Sequence, residues 1–281
     1  MTHVGSDGHR AQAPLPGPGS SIVARGVRHW YETRSGTVKA LDGIDLAIRH
    51  GELVALLGPS GCGKSTFLRI LSGLLPPSEG QVLLAGEAPA QANRRYGMGW
   101  LAQDDGLLPW RSVGANVALA LRLGGHNRAR RDDERVGAIL KRVDLADSVD
   151  RFPHELSGGM RQRAALARAI VNEPAFLFLD EPFANLDELI RERLGDLLLD
   201  VRRATRPTTL LVTHSVTEAV RLADRVVVFS ARPGRMITEM PITLSAPRSY
   251  DQAGFGATVE DLKRTLRDND SLQPAAIRSR Q

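Results

Sequence analysis

The chain has 281 residues, 42% hydrophobic and 25% charged, enough to bury a sizeable core without disulfides or metals. The net charge of +5 comes from scattered arginines rather than a basic block, so neither a nucleic-acid partner nor a polybasic lipid tract is expected. The longest apolar runs, Leu53 to Leu57 and Phe176 to Leu179, are strand-length, which excludes a membrane-spanning helix. No signal-peptide core stands at the N-terminus, and the single cysteine, Cys62, has no partner for an internal disulfide, so cytosolic residence is the default expectation.

In chain order, residues 1–20 are rich in Pro and Gly, lack periodicity and read as a disordered extension. Order is expected from Ile22. The alternation of Leu41, Ile44, Leu46 and Ile48 predicts a strand, and Leu53 to Leu57 predicts a strand buried on both faces. A helix is expected from Lys64 to about Leu74, stopped by Pro76 and Pro77. Further strands are expected at Gln81 to Ala85, Met98 to Ala102, Phe176 to Leu179, Thr209 to Val212 and Val226 to Phe229. Strands alternating with helices predict an α/β core with a mostly parallel sheet. Between about Asp104 and Ala169 the strand pattern gives way to helices, clearest at Ala115 to Leu123 and Asp133 to Val143, which predicts an inserted helical lobe. The main domain is placed at 21–250. Residues 251–281 read as a polar tail with one weak amphipathic helix, Val259 to Leu266. No internal repeat is apparent, so one unit of this kind is expected rather than two in tandem.

Gly58, Pro59, Ser60, Gly61, Cys62, Gly63, Lys64 and Ser65 match every fixed position of the phosphate-loop pattern, between a predicted strand and a predicted helix; Thr66 follows. Glycines let backbone N–H groups turn inward around phosphates, and the helix start adds its positive dipole end. Lys64 brings a point charge to the β- and γ-phosphates, and Ser65 a hydroxyl for Mg²⁺. Cys62, near Lys64 and a helix start, is expected to be a reactive thiolate shielded by bound ATP. This motif alone leaves GTPases, kinases and transporters open.

Phe176 to Glu181 is four apolar residues ending in two carboxylates. The strand delivers Asp180 to the sheet edge beside the phosphate loop, where an Asp holds Mg²⁺ through water. Glu181 points elsewhere because strand side chains alternate, and it is placed to polarise an attacking water.

Leu156, Ser157, Gly158, Gly159, Met160, Arg161, Gln162 and Arg163 decide the class. They precede a predicted helix, Met160 to Val171, whose start is an anion site. Here the sequence resembles the ATP-binding-cassette family, whose signature is LSGGQ followed by a basic residue; Met160 stands where Gln is usual. The resemblance covers nearly all of Ile22 to Met240. It implies a P-loop NTPase cassette of α/β class, with a parallel-sheet core, an N-terminal antiparallel β part and the inserted lobe at about 104–169. It implies ATP and Mg²⁺ as cofactors, and a second copy of the chain whose Ser157, Gly158, Gly159 and Asp187 complete the site in trans. Gln103 matches the glutamine that contacts Mg²⁺ and the water, so Ser65, Gln103 and Asp180 form the metal set. His214 matches the switch histidine near the γ-phosphate. Glu181, His214, Gln103 and Lys64 form the catalytic set. Tyr31 matches the early aromatic that stacks on adenine, with Trp30 competing. Asn185, Leu186 and Asp187 match the dimer-contact loop, although Asn185 departs from its usual pattern.

Gly106 to Arg111, Glu181-Pro182-Phe183, Thr213-His214-Ser215 and Arg232-Pro233-Gly234-Arg235 look like the nitrate, sulfonate and taurine importers. That likeness implies two integral membrane permease subunits, an extracytoplasmic solute-binding protein and a peripheral position on the cytoplasmic face of the inner membrane. Taurine or another sulfonate is the implied cargo. Nitrate, pyrimidine precursors and a cassette ATPase without a permease are the alternatives. The apolar run Leu107 to Trp110 reads either as packing at the base of the lobe or as a docking patch for the membrane subunits.

Overall fold

A computed structural model describes residues 20–34, 36–123, 129–184 and 186–271. The expected extension at 1–19, Asn185 of the dimer-contact loop and the end of the tail lie outside the described residues.

Strands β1 (Ser20–Thr33) and β2 (Gly36–Arg49) pair antiparallel, and β1 also pairs with β4 (Glu79–Leu84), giving a three-stranded sheet ordered β2-β1-β4. The larger sheet contains β3 (Leu53–Leu57), β5 (Met98–Leu101), β6 (Phe176–Asp180), β7 (Thr208–Val212), β8 (Arg225–Phe229) and β9 (Met236–Pro241). Its order is β5-β6-β7-β3-β8-β9. All pairings are parallel except the edge strand β9, which runs antiparallel to β8.

The continuous apolar runs follow from burial on both faces. Leu53, Ala55 and Leu57 of β3 join one core, while Val54 and Leu56 join the other. In β6, Leu177 and Leu179 face the first core, and Phe176 and Phe178 the second. The second core lies against the antiparallel sheet and α1 (Lys64–Leu71), with Ala92 of α2 (Pro89–Tyr96) sealing it. The first core runs into the lobe through α3 (Val113–Leu123), α4 (Ala129–Arg142) and α5 (Gly158–Ile170). Helices α6 (Glu188–Thr205) and α7 (Val216–Leu222) close the same face.

Helix α1 stops at Leu71, short of the two prolines, because Ser72 caps it with backbone and side-chain bonds. The weak amphipathic helix expected at Val259 to Leu266 is present, but it is longer and better docked than a polar tail implies. A helix, α8, spans Phe255–Ser271, and Phe255, Val259 and Leu262 are buried in the first core with Leu266 against it. These residues recur at helical spacing, so their stripe outweighs the polarity of the segment.

The antiparallel and parallel sheets are tied by charge as well as packing. Glu52, buried at the start of β3, accepts from Arg225 Nε at 2.9 Å; Arg225 also pairs with Glu239 and donates to Ala47 O at 2.6 Å. One guanidinium therefore links β2, β3, β8 and β9, in a geometry where removing either partner strands a buried charge.

Asn116 on α3 is fully buried and folds the turn before its own helix. Its Oδ1 accepts from Leu108 N at 2.7 Å, and its Nδ2 donates to the carbonyls of Leu108, Arg111 and Ser112 at 3.1, 3.0 and 3.1 Å. Asn116→Ala removes the partner of Leu108 N and Arg111 O, while Leu108 O and Ser112 O keep backbone donors, and is expected to destabilise the protein by about 2 kcal/mol. Denaturant unfolding checks this; an unchanged midpoint would show that water replaces the amide at no cost.

Candidate functional site

Five parallel strands send their C-terminal ends to one edge, and the predicted site residues collect there. Gln103 follows β5, Asp180 and Glu181 end β6, Thr213 and His214 follow β7, and the phosphate loop follows β3. An open cleft of about 220 Å³ is lined by Tyr31, Lys64, Ser65, Gln103, Glu181 and Arg232, among others.

The loop is shaped by steric demand. Gly63 has φ 100°, and a Cβ there would sit 2.7 Å from Leu41 Cδ2 and 2.9 Å from Ala40 O, so only glycine brings the chain into α1 this close to β2. Lys64 is buried, and its Nζ donates to Gly58 O and Pro59 O at 2.8 Å each. Ser65 Oγ donates to Asp180 Oδ1 at 2.8 Å. Asp180 Oδ2 is buried without a hydrogen-bond partner. Burial pushes the Asp180 carboxyl above its usual range, against the pull of Ser65, Arg69 and Lys64. A hydroxyl beside an unsatisfied carboxylate oxygen is a hard-oxygen pair that suits Mg²⁺, which takes few protein ligands and keeps several waters. Ser65 and Asp180 would hold it, with Gln103 at the cleft wall.

Glu181 has φ 50°, the left-handed region that a non-glycine residue enters only under constraint. The constraint is visible: its N–H donates to Val212 O at 2.9 Å, and its carbonyl accepts from Ala184 N at 3.2 Å. The turn swings its carboxylate out of the sheet and toward His214, whose Nδ1 lies 3.4 Å from Glu181 Oε2. His214 is positioned through Thr213, whose hydroxyl donates to Glu218 Oε2 at 2.6 Å and accepts from Ser215 N at 3.0 Å.

Tyr31 lies on the cleft wall, with its hydroxyl 3.1 Å from Thr66 Oγ1, and its ring edge-on to His29. Trp30 does not line the cleft. Of the two candidate aromatics, Tyr31 is the one on the cleft wall.

Ser157, Gly158, Gly159 and Asp187 are not brought to this cleft within one chain. Ser157 caps α5 by accepting from Met160 N at 3.3 Å, and Asp187 caps α6 by accepting from Ile190 N at 3.0 Å. Both helix starts are solvent-facing.

Two features escaped the sequence reading. Arg232 reaches the cleft from the β8–β9 turn, with Nε donating to Gly61 O at 3.3 Å. The turn is held by Gly234, whose N–H donates to Ala40 O at 2.8 Å; a side chain there would collide with the carbonyl of Cys62. The Arg-Pro-Gly-Arg run was visible, but nothing local says that it folds onto a loop some 170 positions earlier. The second is Gln162, buried on α5, which donates to Pro182 O at 3.0 Å beside Glu181.

Cys62 corrects an expectation. It is 1% exposed and packs in the second core, and burial pushes its thiol above the usual range despite the lowering effect of Lys64. Lys64 Nζ lies 3.7 Å from the sulfur, but burial outweighs its pull.

A family model described as ABC transporter matches residues 41–184. The taurine import ATP-binding protein TauB of Burkholderia pseudomallei is 44% identical over 218 residues, 78% of this chain and 83% of its own. The aliphatic sulfonates import ATP-binding protein SsuB of Burkholderia ambifaria is 40% identical over 272 residues, 94% of this chain and 80% of its own. The spermidine/putrescine import ATP-binding protein PotA of Frankia alni is 41% identical over 259 residues, 92% of this chain; the chain spans only 56% of that relative's length. Among solved structures, the dimeric cassette MJ0796 matches with a TM-score of 0.73 and 29% identity, over 80% of this chain and all of that one. Its post-hydrolysis state with ADP and Pi matches equally well.

A buried, uncharged thiol is a poor nucleophile. Iodoacetamide is expected to label Cys62 slowly and equally with and without ATP, and fast only after denaturation, as read by mass spectrometry. Fast labelling of the native protein that ATP suppresses would return the sulfur to the ligand side.

Proposed function

This chain belongs to the ABC transporter family, and we propose that it hydrolyses ATP as the energising subunit of an importer for taurine or another small sulfonate. One observation carries the ATPase reading: Lys64, Ser65 and a strained Glu181 line one cleft at the sheet edge, with Asp180 buried just behind Ser65, while the signature residues Ser157, Gly158 and Gly159 do not line it. A second copy is what places a signature over each cleft, and the structural relative MJ0796 is a dimer.

Each residue then has a task. Inward N–H groups of residues 58–65 and the Lys64 ammonium bind the β- and γ-phosphates. Mg²⁺, when bound, neutralises charge on the transferred phosphoryl group. Tyr31 stacks on adenine. Glu181 accepts a proton from the attacking water as its oxygen bonds to the γ-phosphorus. The bond to the β–γ bridging oxygen breaks, and ADP leaves with that oxygen. His214, 3.4 Å from Glu181, orients the carboxylate and faces the γ-phosphate. Ser157, Gly158 and Gly159 of the partner copy close the other side of the phosphate, and Asp187 supports the contact.

Coupling to a permease runs through residues 105–111. Helix α5 grips this segment twice: Arg161 Nε donates to Asp105 Oδ2 at 3.0 Å, and Arg168 donates to Gly106 O and Asp105 O at 2.7 and 2.8 Å. Leu107 is buried, so it anchors the segment rather than docking a partner. Trp110 is 71% exposed, with Pro109 exposed beside it. A rigidly held, exposed Trp is an interface anchor, here for the membrane subunits, which place the chain peripherally on the cytoplasmic face of the membrane. No helix among the described residues is long and apolar enough to cross a membrane, so the translocation path belongs to those subunits. An extracytoplasmic binding protein would deliver the cargo to them.

The sulfonate reading rests on the names of relatives at 40–44% identity, because cargo touches other subunits. Uptake of taurine, alkanesulfonates, nitrate and pyrimidine precursors by a strain lacking this protein tests it; intact sulfonate uptake with loss of another cargo would reject it.

Glu181→Gln is expected to lower turnover at least 100-fold while ATP binding persists and ATP drives dimerisation. Single-turnover kinetics and light scattering read the two effects; near-normal turnover would remove Glu181 as the base.

Trp110→Ala is expected to weaken permease docking by about 2 kcal/mol and reduce uptake, with ATPase rate and melting temperature of the isolated subunit unchanged. A lowered melting temperature with loss of both activities would make Trp110 a packing residue instead.

A further inference from the structure

A second concavity lies apart from the nucleotide cleft. A cavity of about 470 Å³ lies at the opposite edge of the parallel sheet, where Gly51 leads into β3, Arg206 into β7 and Asp224 into β8. Its walls carry Arg202, Arg203, Arg206, Arg221 and Arg248 against one carboxylate, Asp224. Leu199, Leu222 and Ala246 supply an apolar patch.

Three of these arginines have carboxylate partners. Arg202 pairs with Asp224, Arg203 with Asp200 at 2.9 Å, and Arg221 with Asp196 at 2.7 Å. The other two do not. Arg206, the left-handed residue after α6, makes no side-chain hydrogen bond or ion pair with the described residues. Arg248 is 8% exposed, and its only partners are carbonyls: Leu244 O for Nε at 3.0 Å, and Ala223 O for Nη1 at 2.6 Å, with longer approaches to Val220 O and Arg221 O. Capping the end of α7 accounts for that side of the guanidinium. Nη2 carries two protons and reaches only Ile242 O, at 3.5 Å. Burial lowers the affinity of Arg248 for its proton, Arg202 lowers it further, and Asp224 opposes both from beyond ion-pair distance. A buried cation without a counter-ion is costly, and an anion in the adjacent cavity offsets that cost.

We propose that this cavity binds a small organic oxyanion, a phosphate or sulfonate head held by Arg206 and Arg248 with a short apolar body against Leu199, Leu222 and Ala246. The bidentate fork of arginine matches such heads. The site is separate from the phosphate loop and does not depend on which solute the transporter imports. Helix α7 runs from one site toward the other: Ser215, next to His214, caps its start, and Leu222 at its end lines the cavity. An occupant therefore contacts an element whose other end helps position the catalytic edge.

The test uses the full chain with its phosphate loop saturated by a non-hydrolysable ATP analogue, which also fills the γ-phosphate position, so that added anions cannot report from there. Inorganic phosphate and propanesulfonate are titrated against sodium chloride at matched ionic strength, with thermal midpoint and calorimetry as readouts. Either anion is expected to raise the midpoint above the chloride control, and tighter binding of propanesulfonate identifies an organic ligand. Arg206→Asn, which tolerates the left-handed backbone, is expected to weaken binding at least tenfold without lowering the ligand-free midpoint. Should that midpoint fall, Arg206→Gly, which also tolerates the left-handed backbone, replaces it under the same criterion. No effect beyond chloride, or unchanged affinity in the well-folded variant, overturns the proposal.

Discussion

Burial of the parallel sheet on both faces is the constraint from which the site follows. A strand such as β3 or β6 with apolar side chains above and below has nowhere to present a polar group except at its ends. Because five strands run the same way, those ends fall on one edge. The edge then receives a phosphate loop, an Asp-Glu pair, a glutamine and a histidine from four neighbouring strands. No local preference brings Lys64 to Asp180; the Ser65–Asp180 hydrogen bond joins residues that only the β6-β7-β3 order makes neighbours.

Holding this edge stores unfavourable energy. Asp180 is buried with one oxygen unsatisfied, and Glu181 sits in a backbone region that costs a non-glycine residue of order 1–3 kcal/mol. Both are tolerated because surrounding bonds over-determine them: Val212 O fixes the Glu181 amide, and Ser65 fixes one side of Asp180. The same strain gives function its geometry. An extended Glu181 would continue the pleat and bury its carboxylate under the sheet, away from His214.

What the sequence made legible divides along the same line. The phosphate loop, the acidic strand end and the signature are contiguous runs, and each has the local structure its motif predicts: a strand-to-helix loop, a strand end and a helix start. Helix α8 was underweighted because its stripe of Phe255, Val259, Leu262 and Leu266 sits among polar residues, and only docking on the first core shows its value. Cys62 misled because helix-start and lysine effects are sequence-visible, whereas the direction of a side chain inside a loop is set by what packs beneath it. Arg232 and Gln162 were invisible because their partners, Gly61 and Pro182, are reached through tertiary structure alone.

The contacts of α5 explain how a remote signature can act on both hydrolysis and transport. Ser157 caps its start, where a partner's nucleotide would sit. Gln162, one turn on, holds the carbonyl of Pro182 next to Glu181. Arg161 and Arg168 hold residues 105 and 106 ahead of Trp110, and two helical turns separate them, about 10 Å along the axis. A helix resists bending over that length, so a displacement of its start reaches all three contacts together. Had the signature been carried on a loop, closure on the second copy would be absorbed locally. Carried on α5, it would, under the proposed function, move the segment that presents Trp110 and the turn that presents Glu181 as one body, and would make formation of the dimer and readiness to hydrolyse the same event.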